Sequence, residues 1–370
     1  MTGGLIRFMY TPCRYLVKTP VQSMFPNLEN NNMKKQPLTS AIVSAFLMSA
    51  PAVFADTIPV TMDNYNQAVA AKYMGNWDKR GADKAIVHLP ILVPAGDKAP
   101  VVRMNQDSLY SSAIVRADEK GMVHVGIDEG ASAYTSVHVL DENSASPAYF
   151  VGAGEHSVKI DTEYAFIIFR AGVEDKKDLS DALAAQPLFH VDYAATVGHD
   201  YIAPNYDTAQ RDALTGKLKA DFLKSGRDFV YVGGKEHNVD PVHIAQSNAQ
   251  GWGGMPIELG VSNIYRNTKQ FDGGVCQTVT FEEPDNKYFT SITLYDETGY
   301  MIDSARFSIN SYEWDKNADG TVTINFNCDD NAVNNLSTKG QDFNYTVRNY
   351  GVTQSVVDDE FGGRNPSIAE

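Results

Sequence analysis

The sequence predicts a mainly β protein with a helical middle: a β-sandwich first and a second antiparallel β-domain last. Three observations predict it. Between about Ile86 and Phe169, short runs alternate apolar and polar residues with a period of two, cut at close intervals by Gly, Asp and Pro clusters. From about Gly274 the same period returns. Between the two, the apolar spacing lengthens to three and four.

The first residues read as an address. At Met33, "MKKQPLTSAIVSAFLMSAPAVFA" combines Lys34 and Lys35, a short apolar run from Ile42 to Met48, and small residues Val53 and Ala55 at the −3 and −1 positions of a cleavage site. The expectation is a signal peptide over 33–55, an upstream extension over 1–32 outside the protein proper, and a mature chain of 315 residues from Asp56 in the periplasm or secreted. Removing residues 1–55 takes away five basic residues and one acidic residue, leaving 26 against 45 and a net charge of −19. Such a surface disfavours nucleic acid. No later run is apolar enough to predict a membrane span. A homo-oligomer is left open. Cys276 and Cys328 remain after processing, and spacing alone leaves a disulfide and two buried thiols both open.

The elements follow in order. A leading helix is expected over 56–82, with Met62, Tyr65, Val69, Tyr73 and Trp77 on one stripe and Thr61 as N-cap. A β-sandwich domain is expected over 83–195. Within it "MVHVGI" points Val123, Val125 and Ile127 one way, and "YTSVHVL" puts Tyr134, Ser136, His138 and Leu140 on one side. "YAFIIF" is apolar throughout, so it reads as a central strand buried on both faces. "DKKDLSDALAAQ" predicts a short helix. The helical and loop middle over 196–262 holds a longer one, "YDTAQRDALTGKLKADFLKSG". Its stripe is Ala209, Ala213, Leu214, Leu218 and Phe222, with a capping box at Asp207 and Gln210 and a stop at Gly226. In the last domain, 263–370, "YFTSITLYDETGYMI" predicts a strand, a turn at Asp296–Gly299 and a return. "NADGTVTINF" predicts a hairpin.

Familiar catalytic signatures do not occur: no G-x-S-x-G, no Walker loop, no H-E-x-x-H and no C-x-x-C. The chemistry must come from less obvious clusters. The densest is "VVRMNQDSLYSSAIV", Val101–Val115. Counted by two along a strand, Arg103, Asn105 and Asp107 share a face as donor, amide and carboxylate. Such a row either holds a polar ligand or anchors a turn. Arg103 and Asn105 are binding candidates, and Asp107 is a candidate base. Tyr110 is a candidate acid if it does more than pack its ring. His138, followed by Asp141 and Glu142, is a further acid–base candidate beside the reading of an ordinary half-buried histidine. On the last domain, Phe289, Ser291, Thr293 and Tyr295 form an aromatic and hydroxyl stripe, with Ser291, Thr293 and Tyr295 as binding candidates. Trp252, in the glycine-rich "QGWGGMP", is a ligand platform or an interdomain plug. "HNVDPVH" holds His237, Asp240 and His243, and His190–Asp192 and His199–Asp200 are weaker pairs. Pro241 breaks the first set, so no metal site is assigned, and the sequence leaves the cofactor unknown.

Three of these stretches together carry a resemblance. "RMNQDSLYSSAIV", "GWGGMP" and "FTSITLYDETGYMID", in that order, resemble a bacterial family of paired domains of unknown function, numbered 1254 (N-terminal) and 1214 (C-terminal), from about Asn64 to Val352. Gln106 and Ser108 stand where the family usually has arginine and threonine, Met255 where it has leucine, and Thr290 where it has tryptophan. The resemblance implies an Ig-like β-sandwich, a small helical region and a jelly-roll-like β-domain, and it implies no reaction. The expectation for function is an exported protein with a small-molecule site between two β-domains, acting as a hydrolase on a small or amphiphilic substrate. The alternatives are a non-catalytic binding protein for a small molecule, glycan or lipid, and a structural assembly protein.

Overall fold

The run "YAFIIFRAG" forms β7 (Tyr164–Gly172), and its neighbours explain why both of its faces are apolar. It is the middle strand of a five-stranded sheet. The others are β1 (Val87–His88), β2 (Ser108–Arg116), β4 (Thr135–Asp141) and β5 (Ala148–Val151), in the order β1-β2-β7-β4-β5 and antiparallel throughout. A second sheet joins β6 (Gly154–Lys159), β3 (Met122–Ile127) and β8 (Phe189–Val191). Leu109, Ala113 and Val115 from β2, Ile167 and Phe169 from β7, and Val137 and Val139 from β4 meet Val123, Val125, Ile127, Val158 and Phe189 of the second sheet in one core. The residues between them in sequence face the other way. Ile114, Phe166 and Leu140 pack with Met74 of α1 (Tyr65–Asp78). A sheet covered on both faces needs strands without a polar side, which is what β7 is. This computed structural model describes residues 57–99, 101–224, 241–251, 258–329 and 331–358, and they belong to one compact unit spanning Phe54–Glu370.

The helical middle comprises α2 (Ser180–Ala185), α3 (Thr208–Lys224) and α4 (Pro241–Ala249). Tyr65 and Val69 of α1 pack with Leu218 of α3 and Ala245 and Ala249 of α4. Two details of the expected helices change. The first helix begins at Tyr65, with Asn64 as its cap residue, because Thr61 and Asn64 instead bond each other's turn: the Thr61 N–H donates to Asn64 Oδ1 at 2.8 Å. Met62 therefore lies before the helix and is exposed. On α3, Ala209 and Ala213 face solvent, while Leu218 and Phe222 are buried. Half of the expected capping box forms. The Gln210 N–H donates to Asp207 Oδ1 at 3.0 Å, but the Gln210 side chain accepts from Val60 N–H. Gly226 lies outside the described residues, as does the whole segment read as a signal peptide.

The rear part is built from two more sheets. β12 (Ser308–Asn310), β11 (Phe289–Tyr295), β15 (Asn344–Tyr350) and β9 (Asn263–Asn267) form one; β10 (Gln277–Glu282), β13 (Thr321–Phe326) and β14 (Asn335–Leu336) form the other. Ile292, Leu294, Tyr345 and Val347 meet Val279, Phe281, Val322, Ile324 and Phe326 between them. The alternation predicted in "TVTINF" therefore sorts core from surface. Asp-Gly at 319–320 does turn the chain, but its strand before the turn is reduced to a bridge, Lys316↔Val322, because β13 spends its ladder on β10. The return after Asp296–Gly299 is likewise a single bridge, Tyr295↔Met301. Cys276 and Cys328 are joined as a disulfide, with Cα atoms 4.5 Å apart, where β10 begins and β13 ends. A short helix, α5 (Gln354–Asp358), follows. The described molecule is thus mainly β, in several sheets, and among the described residues no helix is long and apolar enough to cross a membrane.

Candidate functional site

The segment before β2 departs from the strand that its sequence suggests. Residues 101–107 join no ladder, and Arg103 sits at φ 58°, in the left-handed region. The period-two row of Arg103, Asn105 and Asp107 therefore does not exist as a strand face. The segment is held by the rear sheet. The Arg103 N–H donates to the Gly299 carbonyl at 2.8 Å, its guanidinium lies 4.7 Å over the Tyr295 ring, and Nη1 donates to Asn344 Oδ1 at 2.5 Å. Burial pushes the Arg103 pKa down to about 10, with Tyr295 pulling it up and Arg348 pushing it down. Tyr295 donates its hydroxyl to the Met104 carbonyl at 2.6 Å.

Asp107 is fully buried, and its Oδ2 accepts Ser291 Oγ–H at 2.5 Å and Tyr350 O–H at 3.0 Å. Arg348, also fully buried, donates Nη2 to the Arg103 carbonyl at 3.0 Å and to the Tyr295 hydroxyl. Thr293 is buried on the same rear face. The polar island and the hydroxyl stripe are thus brought together, and each supplies partners to the other.

Beside this seam lies a cavity of about 160 Å³. Its floor is the outer face of the five-stranded sheet, and pairing register orders that face into rows. Tyr110 of β2 lies beside Arg170 of β7 and Ser136 of β4; next come Ser112, Ile168 and His138; then Ile114, Phe166 and Leu140. The wall is polar at the first row and apolar at the last. Tyr73, Met74 and Trp77 of α1 cover the apolar end, and Tyr265 and Arg348 of the rear sheet close the polar end. Arg103 and Asn105 also line it, whereas Asp107, Ser291, Thr293 and Tyr295 stand behind the wall. Trp252 lies outside the described residues.

The individual groups are constrained as follows. Asn105 Nδ2 donates to the Tyr110 hydroxyl at 2.8 Å. His138 Nε2 is 2.7 Å from Ser146 Oγ. Asp141 Oδ1 accepts the backbone N–H groups of Asn143 and Ala145, closing the turn after β4. The Arg170 guanidinium lies 5.7 Å from the Tyr110 ring and 5.9 Å from that of Tyr149. Its Nη1 is sealed from solvent and has no hydrogen-bond acceptor, and among the described residues no carboxylate pairs with it. Sequence reasoning missed Arg170, Tyr265 and Arg348. One signal for Arg170 was present, a lone cation ending the most apolar strand of the chain.

Metal-type donors converge elsewhere. Asp128, Glu155 and His190 place one ligand atom each within 4.8 Å of the others. Glu155 and His190 both lie across from Gly126, where a Cβ would come within 2.2 Å of His190 Nε2. His190 Nε2 meets Glu155 at 2.7 Å and Nδ1 meets Asp128 at 3.7 Å, so ion pairing accounts for the group. The expected partner Asp192 instead accepts the Ala194 N–H. His237 and Asp240, and the side chain of His243, lie outside the described residues.

Comparison with known proteins is informative for fold. Residues 265–354 match a family described as protein of unknown function (DUF1214). That stretch holds β11 and β15, the strands that carry Ser291 and Arg348. The crystal structure of the VPA0106 protein from Vibrio parahaemolyticus is similar over 84% of this chain and 98% of its own, with a TM-score of 0.59 and 13% identity, a likeness of fold. An uncharacterized protein from Burkholderia cenocepacia aligns over 79% of this chain and 85% of its own at 16% identity, with a TM-score of 0.49. No curated protein matches the chain.

Proposed function

We propose that this is an exported small-molecule-binding protein whose ligand occupies the cavity between the five-stranded sheet, α1 and the rear sheet. The observation that carries the reading is the graded wall: one recess runs from Tyr110 and Arg170 to Phe166, Leu140 and Trp77, so it suits a ligand with one polar and one apolar end. Export is supported by the basic, apolar and small-residue pattern ending at Ala55 and by the Cys276–Cys328 disulfide, which suits an oxidising compartment. The front half is proposed as Ig-like and equivalent to the family's N-terminal partner domain (1254), and the rear as jelly-roll-like. The test is mass spectrometry of what the purified protein releases on denaturation, with a thermal-shift screen of small amphiphiles. A raised melting temperature that is lost when Leu140→Trp fills the apolar end supports the cavity. A screen in which no amphiphile shifts the melt, with nothing released on denaturation, removes it.

One observation favours a second reading, hydrolysis: His138 lines the cavity and touches Ser146 Oγ at 2.7 Å. Against it, Asp107, the expected base, stands behind the wall and is engaged by Ser291 and Tyr350. Turnover of a small aryl ester that disappears in Ser146→Ala would favour the enzyme, and equal turnover by the two proteins would exclude that dyad.

A further inference from the structure

Arg170 lines the cavity floor with a donor, Nη1, that is sealed from solvent and meets no acceptor among the described residues. A guanidinium carries five N–H donors and keeps its charge at any ordinary pH. Burial works against its charge, but the surrounding Tyr149, Tyr265, Tyr110 and Tyr134 hold its pKa above the usual guanidinium value. Burial pushes the Tyr134 pKa well above 10, and burial likewise pushes Tyr265 up to about 12, so neither is an anion at neutral pH. The nearby carboxylate of Asp107 is taken by Ser291 and Tyr350 and bears on Arg348 instead. Arg170 is half-buried, and a donor of a cation that is sealed from water without an acceptor is costly unless something brings it an anion.

We infer that the ligand is a small organic anion, an aromatic or short-chain carboxylate whose carboxylate is held by Arg170. The inference rests on the cavity being the ligand site and names the class of molecule that fills it. A carboxylate matches the guanidinium fork with two parallel charge-assisted hydrogen bonds. Tyr110 supplies a further donor: its oxygen already accepts from Asn105 Nδ2, so its own proton is left to give. Beyond the head, Ile168, Phe166, Leu140, Met74 and Trp77 offer apolar surface. His138, Asp141, Ser144 and Asn248 are also on the lining, with the Asp141 Oδ1 taken by the Asn143 and Ala145 N–H groups. At about 160 Å³ the space resembles an engineered protein cavity of ~150 Å³ that accepts benzene, which limits the body to roughly one ring or a six-carbon chain.

A second and independent feature is cationic. A recess of about 110 Å³ adjoins the cavity, sharing Tyr73, Val101, Val102 and Asn248, and is lined by Lys72, Arg211 and Lys219. Among the described residues Arg211 is paired only with the exposed Asp212, and neither lysine forms an ion pair. Burial lowers the pKa of both lysines, and their cationic neighbours lower it further. On a chain whose formal net charge is −15, an organic anion is repelled over much of the surface, so a local group of three cations in the adjoining recess raises its concentration beside the cavity.

The test is calorimetric titration of the full chain with four probes: benzoate, hexanoate, benzyl alcohol and 1-hexanol. Each acid is expected to bind at least tenfold more tightly than its alcohol, and that ratio is expected to fall below threefold in Arg170→Gln. In the double variant Lys72→Gln, Lys219→Gln, association of the acids, followed by stopped-flow tryptophan fluorescence, is expected to slow several-fold and lose most of its salt dependence. An unchanged rate would remove the role of the adjoining cations. Acids and alcohols binding equally to the unaltered protein would overturn the anion and leave the cavity reading intact. Failure of all four to bind would overturn both. Should Arg170→Gln not fold, the acid-to-alcohol ratio of the unaltered protein decides alone.

Discussion

Two polar regions meet in the same seam, and they differ in who answers them. Around Asp107, the answers to Oδ2 come from the protein, Ser291 and Tyr350, with the charge of Arg348 nearby, while Oδ1 is sealed from solvent without a hydrogen-bond partner among the described residues. Around Arg170, a few residues away on the neighbouring strand, the contacts are with the rings of Tyr110 and Tyr149, and among the described residues no carboxylate pairs with it. The first region is the richer in polar residues, yet Asp107, Ser291, Thr293 and Tyr295 do not line the cavity. The second is a single cation beside apolar rows, and it lines the cavity. Density of polar side chains marks where a fold is tied together; an unanswered donor at a cavity wall marks where something else is expected.

The sharpest way to break this contrast is to remove the tie. Asp107→Ala strands the Arg348 charge and two hydroxyls in a dry seam, and the expected cost is about 3–5 kcal/mol, a fall of roughly 10 °C in melting temperature by scanning calorimetry. A variant that melts within a few degrees of the parent would show that the seam is held elsewhere. The two faces of β7 offer the next comparison. Phe169→Ala opens the packed core between the front sheets and should cost about 3–5 kcal/mol in urea unfolding. Phe166→Ala, whose ring borders the cavity, should cost only about half that, because part of its surface already lacks neighbours. Equal costs would mean that the cavity face is packed as tightly as the core.

Arg170 should invert the usual sign. With no ligand present, Arg170→Met is expected to raise stability by about 1 kcal/mol while abolishing carboxylate binding, since an uncompensated charge is replaced by an apolar chain. A destabilised variant would place Arg170 with Asp107 among the structural ties. The smallest effect concerns His156, which is stacked on Phe150 with ring centroids 3.6 Å apart and whose pKa is lowered from 6.5 by burial, with Glu155 pulling it back up. The folded protein therefore prefers the neutral ring. That contribution is complete above the unfolded value, near 6.5, and is lost as pH falls through the lower folded value. A shallow decline in melting temperature below pH 6.5, absent in His156→Phe, is the expected observation.

Much of this architecture was legible in the order of residues. Period-two alternation placed β3, β4, β11 and β13 and told which side of β13 meets the core, because burial on one face of a sheet is a local instruction repeated every second residue. The unbroken apolar run of β7 announced a strand covered on both faces, and spacings of three and four announced α1 and α3. The residue types of the seam were legible as well: Arg103, Asn105, Asp107, Tyr110 and the stripe of β11 stood out by composition alone.

What the sequence could not decide was which of these groups would be satisfied. Asp107 finds its partners 184 and 243 positions away, and Arg103 leaves the strand for a left-handed turn because Gly299 and Asn344 receive it. The pairing of Cys276 with Cys328 follows only from the register of β10 on β13. Arg170 looked like one more charge at a strand end until the sheet put Tyr110 and Ser136 beside it and no carboxylate followed. Hydrophobic pattern acts over a few neighbouring residues and can be read in line, whereas hydrogen-bond and charge satisfaction is settled between distant segments and exists only once the chain has folded.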